Sequence, residues 1–224
     1  MIQLTPDESR VFGVLIEKSL TTPEQYPLSL NALVNGANQK NNRDPITNMA
    51  EDVVFDALES LRGKGLVVRV DTTGARVHKY KHHAGETLHA RTGELAIMAE
   101  LLLRGPQTLG ELRGRASRMA PMESLDATRD LLRALMDRPE PLVKEIPRSP
   151  GSRAEQFVQL LCPNLHAVSS IQATAPLPTQ EASGLPLAER VTALEADVAA
   201  LRAELRRLAA ALGETVDTEP TRAQ

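Results

Sequence analysis

The chain has 224 residues, enough for two ordinary domains, and its 42% hydrophobic and 25% charged residues exclude a wholly disordered chain. A formal net charge of -3 excludes a polycation, so any nucleic-acid contact has to come from local basic patches. Aromatics at 2% with no Trp argue against base stacking on aromatic platforms, and a single cysteine, Cys162, excludes an internal disulfide framework.

Met1 to Pro6 carry no basic stretch leading into an apolar run, and no apolar run approaches the ~20 residues of a membrane helix. The expectation is a soluble, cytoplasmic protein with no membrane contact. The first helix signal opens at Thr5-Pro6-Asp7-Glu8, where Thr5 suits the N-cap, Pro6 the first turn and Glu8 a capping box. Val11, Val14, Leu15 and Leu20 follow at helical spacing. After the turn Thr21-Thr22-Pro23, a second helix is expected to open near Pro27-Leu28-Ser29 and to carry Leu30, Leu33 and Val34. A polar loop, Asn38 to Pro45, leads to a third helix over about Asn48–Lys64, with Val54, Leu58 and Leu61 on one face and Gly63 and Gly65 at its end. The β-branched run Leu66 to Val70, the turn Asp71 to Gly74 and the return Arg76 to Lys81 then read as a hairpin. Three helices followed by a hairpin is the winged-helix order.

The pattern recurs. Glu94–Arg104, Thr108–Ala116 and Ser124–Asp137 read as three helices, and Leu142–Ile146 with Phe157–Leu161 as a second hairpin. Setting Leu58 on Leu132 also sets Leu61 on Leu135, Asp56 on Asp130 and Asp52 on Asp126. Two copies are too few for a solenoid, so the repeat reads as a duplicated domain. The expected fold class is mainly α with small β-hairpins (α+β): two tandem winged-helix domains, residues 1–86 and 87–166, plus a C-terminal coiled-coil helix. Residues 167–186, with three prolines among Ser, Thr, Ala and Gln, read as a flexible linker, and residues 213–224 as a disordered tail.

Between linker and tail lies the sharpest pattern. Leu187, Val191, Leu194, Val198, Leu201, Leu205, Leu208 and Leu212 are spaced alternately by four and three, an unbroken heptad seam over 187–212. Valine is frequent at a and leucine fills d, the choice that favours a parallel two-stranded coil. Across such a pair Arg190 faces Glu195 and Asp197 faces Arg202, both attractive, each worth only ~0.2–1 kcal/mol when exposed. The seam is therefore expected to make a homodimer; the alternative is an amphipathic helix folded back on its own domains, which usually shows a wider apolar stripe.

Glu24-Gln25-Tyr26-Pro27-Leu28-Ser29, Asn38-Gln39-Lys40 with Asn42-Arg43-Asp44-Pro45, Arg76-Val77 with Lys79-Tyr80, and Leu101 to Gly105 with Gln107-Thr108 and Gly110 to Arg113 resemble the YceH-like family of bacterial proteins, over about residues 2–162. That resemblance implies tandem winged helices in a soluble bacterial protein. It supplies no catalytic residue, ligand or mechanism.

A winged helix usually reads DNA by laying its third helix in the major groove. At 100° per residue, the outer face of the third helix shows Asp52, Phe55, Asp56 and Glu59, and its counterpart shows Asp126, Asp130, Arg133 and Asp137. Carboxylates repel phosphate, which counts against groove reading. The first functional expectation is a non-enzymatic, dimeric nucleic-acid-binding regulator whose phosphate contacts lie in the loop (Lys40, Asn42, Arg43), in the first wing (Arg69, Arg76, Lys79, Lys81), in the second wing (Lys144, Arg148, Arg153), and after the second domain's second helix (Arg113, Arg115, Arg118). Solvated charge is the plain alternative for each patch. The acidic face with Phe55 is the other candidate, either an anchor for an unidentified protein partner or, the preferred expectation, a contact with the second domain of the same chain. No cofactor, metal or catalytic constellation is expected: His78, His82, His83 and His89 have no Cys beside them, His82 and His83 point to opposite sides of a strand end, and Cys162 reads as a buried small residue.

Overall fold

A computed structural model describes residues 2–71, 77–146, 154–163 and 165, which belong to one compact unit, together with Ala199, Ala203 and Arg207 of a second unit. The first repeat runs α1 (Pro6–Thr21), a 3-10 turn (Pro23–Gln25), β1 (Leu28–Ser29), α2 (Leu30–Ala37), α3 (Glu51–Gly63), β2 (Val67–Val70) and β3 (Lys79–His82). A short helix α4 (Ala84–Thr87) leads into the second repeat: α5 (Thr92–Arg104), β4 (Gln107–Thr108), α6 (Leu109–Ala116), α7 (Leu125–Met136), β5 (Val143–Ile146) and β6 (Gln156–Gln159). Each repeat closes on a three-stranded antiparallel sheet, ordered β1-β3-β2 in the first and β4-β6-β5 in the second. The chain is thus mainly α with small antiparallel sheets.

The starts of the helices follow from their caps. Thr5 accepts the amide of Glu8, whose carboxylate accepts the amide of Thr5, so two otherwise unpaired donors are satisfied. Thr108 and Glu111 form the same reciprocal cap on α6, while Ser29 and Ser124 cap α2 and α7 by accepting the amides of Ala32 and Ala127. The expected helix start at Pro27–Ser29 is corrected here. Leu28 and Ser29 are extended and pair with Tyr80 and Lys79, and the helix begins only after the Ser29 cap. β4 is the matching strand before the Thr108 cap. These two-residue strands are too short to show a period of two in the sequence.

The core is one continuous cluster running through both repeats. α1 is the reason. Its sequence pattern predicts one apolar face, yet every residue from Glu8 to Glu17 is buried, and α5 is buried from Glu94 to Leu103. The two helices lie against each other, α2 and α3 cover the rest of α1, and α6 and α7 cover the rest of α5. Gly13 permits the close approach: a Cβ there would sit 2.9 Å from Cγ of Leu103. The boundary at 86/87 therefore separates two repeats of sequence, while the hydrophobic core crosses it.

β3 ends on His82, whose ring is pinned by its neighbours. Ser19 spends its hydroxyl proton on the Ile16 carbonyl, so its oxygen accepts from Nε2–H of His82 at 2.8 Å. Nδ1 accepts from the Ala84 amide, and the His82 amide donates to the Tyr26 hydroxyl. Burial pushes the imidazole pKa from 6.5 down to about 4. Between those two values the unfolded chain takes up a proton that the folded chain refuses. Stability is therefore expected to fall as pH drops from 6.5 towards 4, and His82→Gln to flatten that part of the profile, measured as urea midpoints at pH 7, 5.5 and 4.5.

Candidate interaction surfaces

The loop between α2 and α3 is built inward. Asn38 accepts the Met49 amide and donates to the Met49 carbonyl, closing the loop on itself. Asn42 takes φ +60°, a left-handed conformation that Asn tolerates. The next side chain, Arg43, then turns into the interior and is 6% exposed. Its guanidinium grips the Glu17 carboxylate with two contacts, 2.6 and 3.2 Å, and donates to the Gly36 carbonyl and to the Gln39 and Asn42 oxygens. Arg43 is therefore not a phosphate contact; the expectation is corrected because a buried carboxylate requires its charge. Asn42 is likewise engaged, accepting from the Arg104 guanidinium, while the Asp44 amide donates to the Leu103 carbonyl. Lys40 alone of the three loop candidates is exposed.

The second repeat completes the network. Arg118 Nη2 lies 2.7 Å from Glu17 and 2.7 Å from Glu100, so one guanidinium joins α1 to α5. Burial by itself would raise the Glu17 carboxyl; hydrogen bonds and charge from Arg43 and Arg118 outweigh it and hold the carboxyl below its usual range. Arg10 enters the same region and donates to the Pro45 carbonyl, with burial and the nearby Arg43 lowering its pKa to about 10. The arginines of the patch read as Arg113, Arg115 and Arg118 each have partners within the fold, while Arg113 and Arg118 remain exposed. Arg115 bonds Gln107 and pairs with Glu111, and Arg113, though exposed, donates to the Glu123 carbonyl. Sequence reasoning missed Glu17 and Glu100 as organising groups. The available signal was a carboxylate inside each apolar run, Val14-Leu15-Ile16-Glu17 and Ile97-Met98-Ala99-Glu100.

The faces left outside are sharply divided. On β3, Lys79 and Lys81 are exposed on either side of buried Tyr80. Their directly paired neighbours, Val70 and Val68, share the same face and are partly buried. Arg69 is exposed beside Asp71, with which it pairs at 3.1 Å. Lys144 on β5 is exposed. Arg76, Arg148 and Arg153 lie outside the described residues. On α3, Glu51, Asp52, Asp56 and Glu59 are exposed, with Phe55 among them at 42% exposure. The expected packing of Phe55 on the second domain is corrected: the repeats meet through α1 and α5, and α3 faces away. Among the described residues only Glu59 of the four has a cation, Arg62 at 2.6 Å. The α7 face is different in kind, its acids paired in place as Asp126 with Arg129 and Asp130 with Arg133.

A pocket of about 500 Å³ opens between Ile2, Leu88, Leu142 and Leu161. At its edge the Arg138 guanidinium is bound by Glu94 and by the carbonyls of Ala134 and Leu88. Among the described residues no group of three His, Cys, Asp or Glu side chains could hold a metal ion, and no helix is long and apolar enough to cross a membrane. Cys162 is buried, its amide and carbonyl clasped by the Gln159 side chain. The seam residues Leu187, Val191, Leu194, Val198, Leu201, Leu205, Leu208 and Leu212 lie outside the described residues. Ala199, Ala203 and Arg207, at positions b, f and c of the same heptads, are helical and exposed.

Residues 4–152 match the model of a family described as protein of unknown function, DUF480. The chain is 44% identical over 202 residues to a UPF0502 protein of Geotalea uraniireducens, covering 90% of this chain and 91% of that one. It is 41% identical over 221 residues to a UPF0502 protein of Shewanella oneidensis, covering 94% and 100%. A third, from Geotalea daltonii, is 52% identical over 159 residues, covering 71% and 72%.

Arg43→Ala is expected to cost about 3–5 kcal/mol, since it takes from the buried Glu17 carboxylate its two-contact partner and leaves it only the Arg118 guanidinium that Glu100 shares. Arg118→Ala, whose side chain is one-third exposed, should cost less. Urea unfolding of the two variants checks that order.

Proposed function

We propose a function on the premise that the chain belongs to the DUF480 family of proteins of unknown function: it is a non-catalytic, homodimeric protein-binding scaffold that engages a basic partner surface through the outer face of α3. Each repeat is read as a winged helix, on the order helix, strand, helix, helix, hairpin. The coil seam at 187–212 is read as the dimer contact. One observation carries the choice of face. The helix that a winged-helix protein would lay in the major groove here bears Glu51, Asp52, Asp56 and Glu59 around an exposed Phe55. Carboxylates there repel phosphate and attract Lys and Arg, and a half-exposed aromatic among them offers an apolar anchor of the kind that dominates protein interfaces. Phe55→Ala combined with Asp56→Lys is expected to abolish capture of other proteins by the immobilised full chain, while the coil still holds a second copy of the chain. The melting temperature should stay within a few degrees. Retained capture removes the α3 face from consideration.

A second reading, phosphate contact through the first wing, is favoured by the exposed Lys79 and Lys81 on one strand face. Under it, duplex DNA binding weakens steeply with salt, and Lys79→Ala with Lys81→Ala lowers the slope of log affinity against log salt by about 2. Absence of binding at low salt to a broad set of duplexes excludes this reading.

A further inference from the structure

The first repeat carries both halves of a complementary pair. Its acidic half is α3: Asp52 and Asp56 are exposed, have no cation within ion-pair distance among the described residues, and flank Phe55. Its basic half is the outer face of the hairpin β2–β3, where Lys79 and Lys81 are exposed and likewise have no carboxylate partner among the described residues. The two patterns match in detail. An aromatic ring stands between carboxylates on one, and the partly buried Val68 and Val70 lie beside two ammonium groups on the other.

We infer that the partner of the α3 face is the wing of a second copy of this chain, and that the contact is made twice across a twofold axis. The inference rests on the reading of α3 as a protein-binding face and supplies its partner. An isologous contact needs each copy to present both halves, and this repeat does. A heterologous basic partner needs only the acidic half and leaves Lys79 and Lys81 unexplained. The second repeat cannot substitute, because α7 neutralises its own acids at i,i+3. Exposed ion pairs contribute only ~0.2–1 kcal/mol each, so the contact is weak in isolation. Two copies tethered by a coil meet at an effective concentration in the ~mM range, where such a contact forms.

The test is a charge swap in the full chain, read as the dimer dissociation constant by sedimentation. Asp52→Lys with Asp56→Lys, and separately Lys79→Glu with Lys81→Glu, should each raise that constant about tenfold or more. The four substitutions together re-create complementarity with the signs exchanged, and should return it to within about threefold of the parent chain. Circular dichroism and melting confirm that each variant folds. Unchanged dissociation in either two-residue variant, or a four-residue variant weaker than both, overturns the inference. The two readings fail separately. If Phe55→Ala with Asp56→Lys abolishes capture of other proteins while the swaps leave the dimer untouched, the α3 face stands and the second copy is not its partner. If neither capture nor dimerisation responds, the α3 face itself is wrong.

Discussion

The Glu17 carboxylate is where the two repeats become one body. It lies on α1, is almost wholly buried, and receives a guanidinium from each repeat: Arg43 from the loop before α3 and Arg118 from the segment after α6. A buried carboxylate that loses one such partner keeps only a share of the other, which Glu100 also claims, in a medium that solvates it poorly. The loop, α1 and α5 are therefore held in a single arrangement. Asn42 with Arg104 and the Asp44 amide with the Leu103 carbonyl repeat the linkage alongside. Gly13 supplies the room, because α1 and α5 could not approach this closely with a side chain there.

That arrangement decides which surfaces are left. With α1 and α5 buried between the repeats, α3 and α7 face outward as a related pair whose inner positions agree. Leu58 and Leu61 correspond to Leu132 and Leu135, and all four are fully buried. Their outer positions have diverged. Where α3 has Phe55 and Glu59, α7 has Arg129 and Arg133, each beside an aspartate. Packing holds the inner face of both helices to the same residues; the outer faces have no such constraint, and only α3 has accumulated unpaired charge around an exposed ring.

Much of this was legible in the sequence, for reasons that can be named. Thr5 and Glu8, Thr108 and Glu111, and the leucine spacing of α3 and α7 are local signals, and local geometry enforces them. The internal repeat gave the order of elements twice. The destinations of charged side chains were another matter. Arg43 sits in the polar run Asn38 to Asp44, and nothing within that run distinguishes a solvated arginine from one that crosses to a carboxylate 26 positions away. The same holds for Arg118. Its two partners, Glu17 and Glu100, stand out only as carboxylates in the middle of apolar helices, a conflict between residue and setting that points to a buried partner without naming it. Phe55 failed in the opposite sense. An aromatic on an outer helix face invited a partner within the chain, and α1 and α5 had already filled that role.

The distribution of charge follows from the same division. Most of the cations that the fold consumes, Arg10, Arg43, Arg115, Arg118 and Arg138, are arginines, whose planar forks satisfy several oxygens at once; Lys64, which joins the Glu8 carboxylate to the Gln3 carbonyl, is the lysine among them. Among the described residues, the exposed cations of the first hairpin that have no carboxylate partner are lysines, compact and strongly hydrated, with flexible stems that can lie along Val68 and Val70 while the ammonium groups stay in water. Arginine therefore serves here as mortar inside one copy. Lysine is the residue suited to a surface that must remain well hydrated when alone and still release that water to meet a carboxylate from outside.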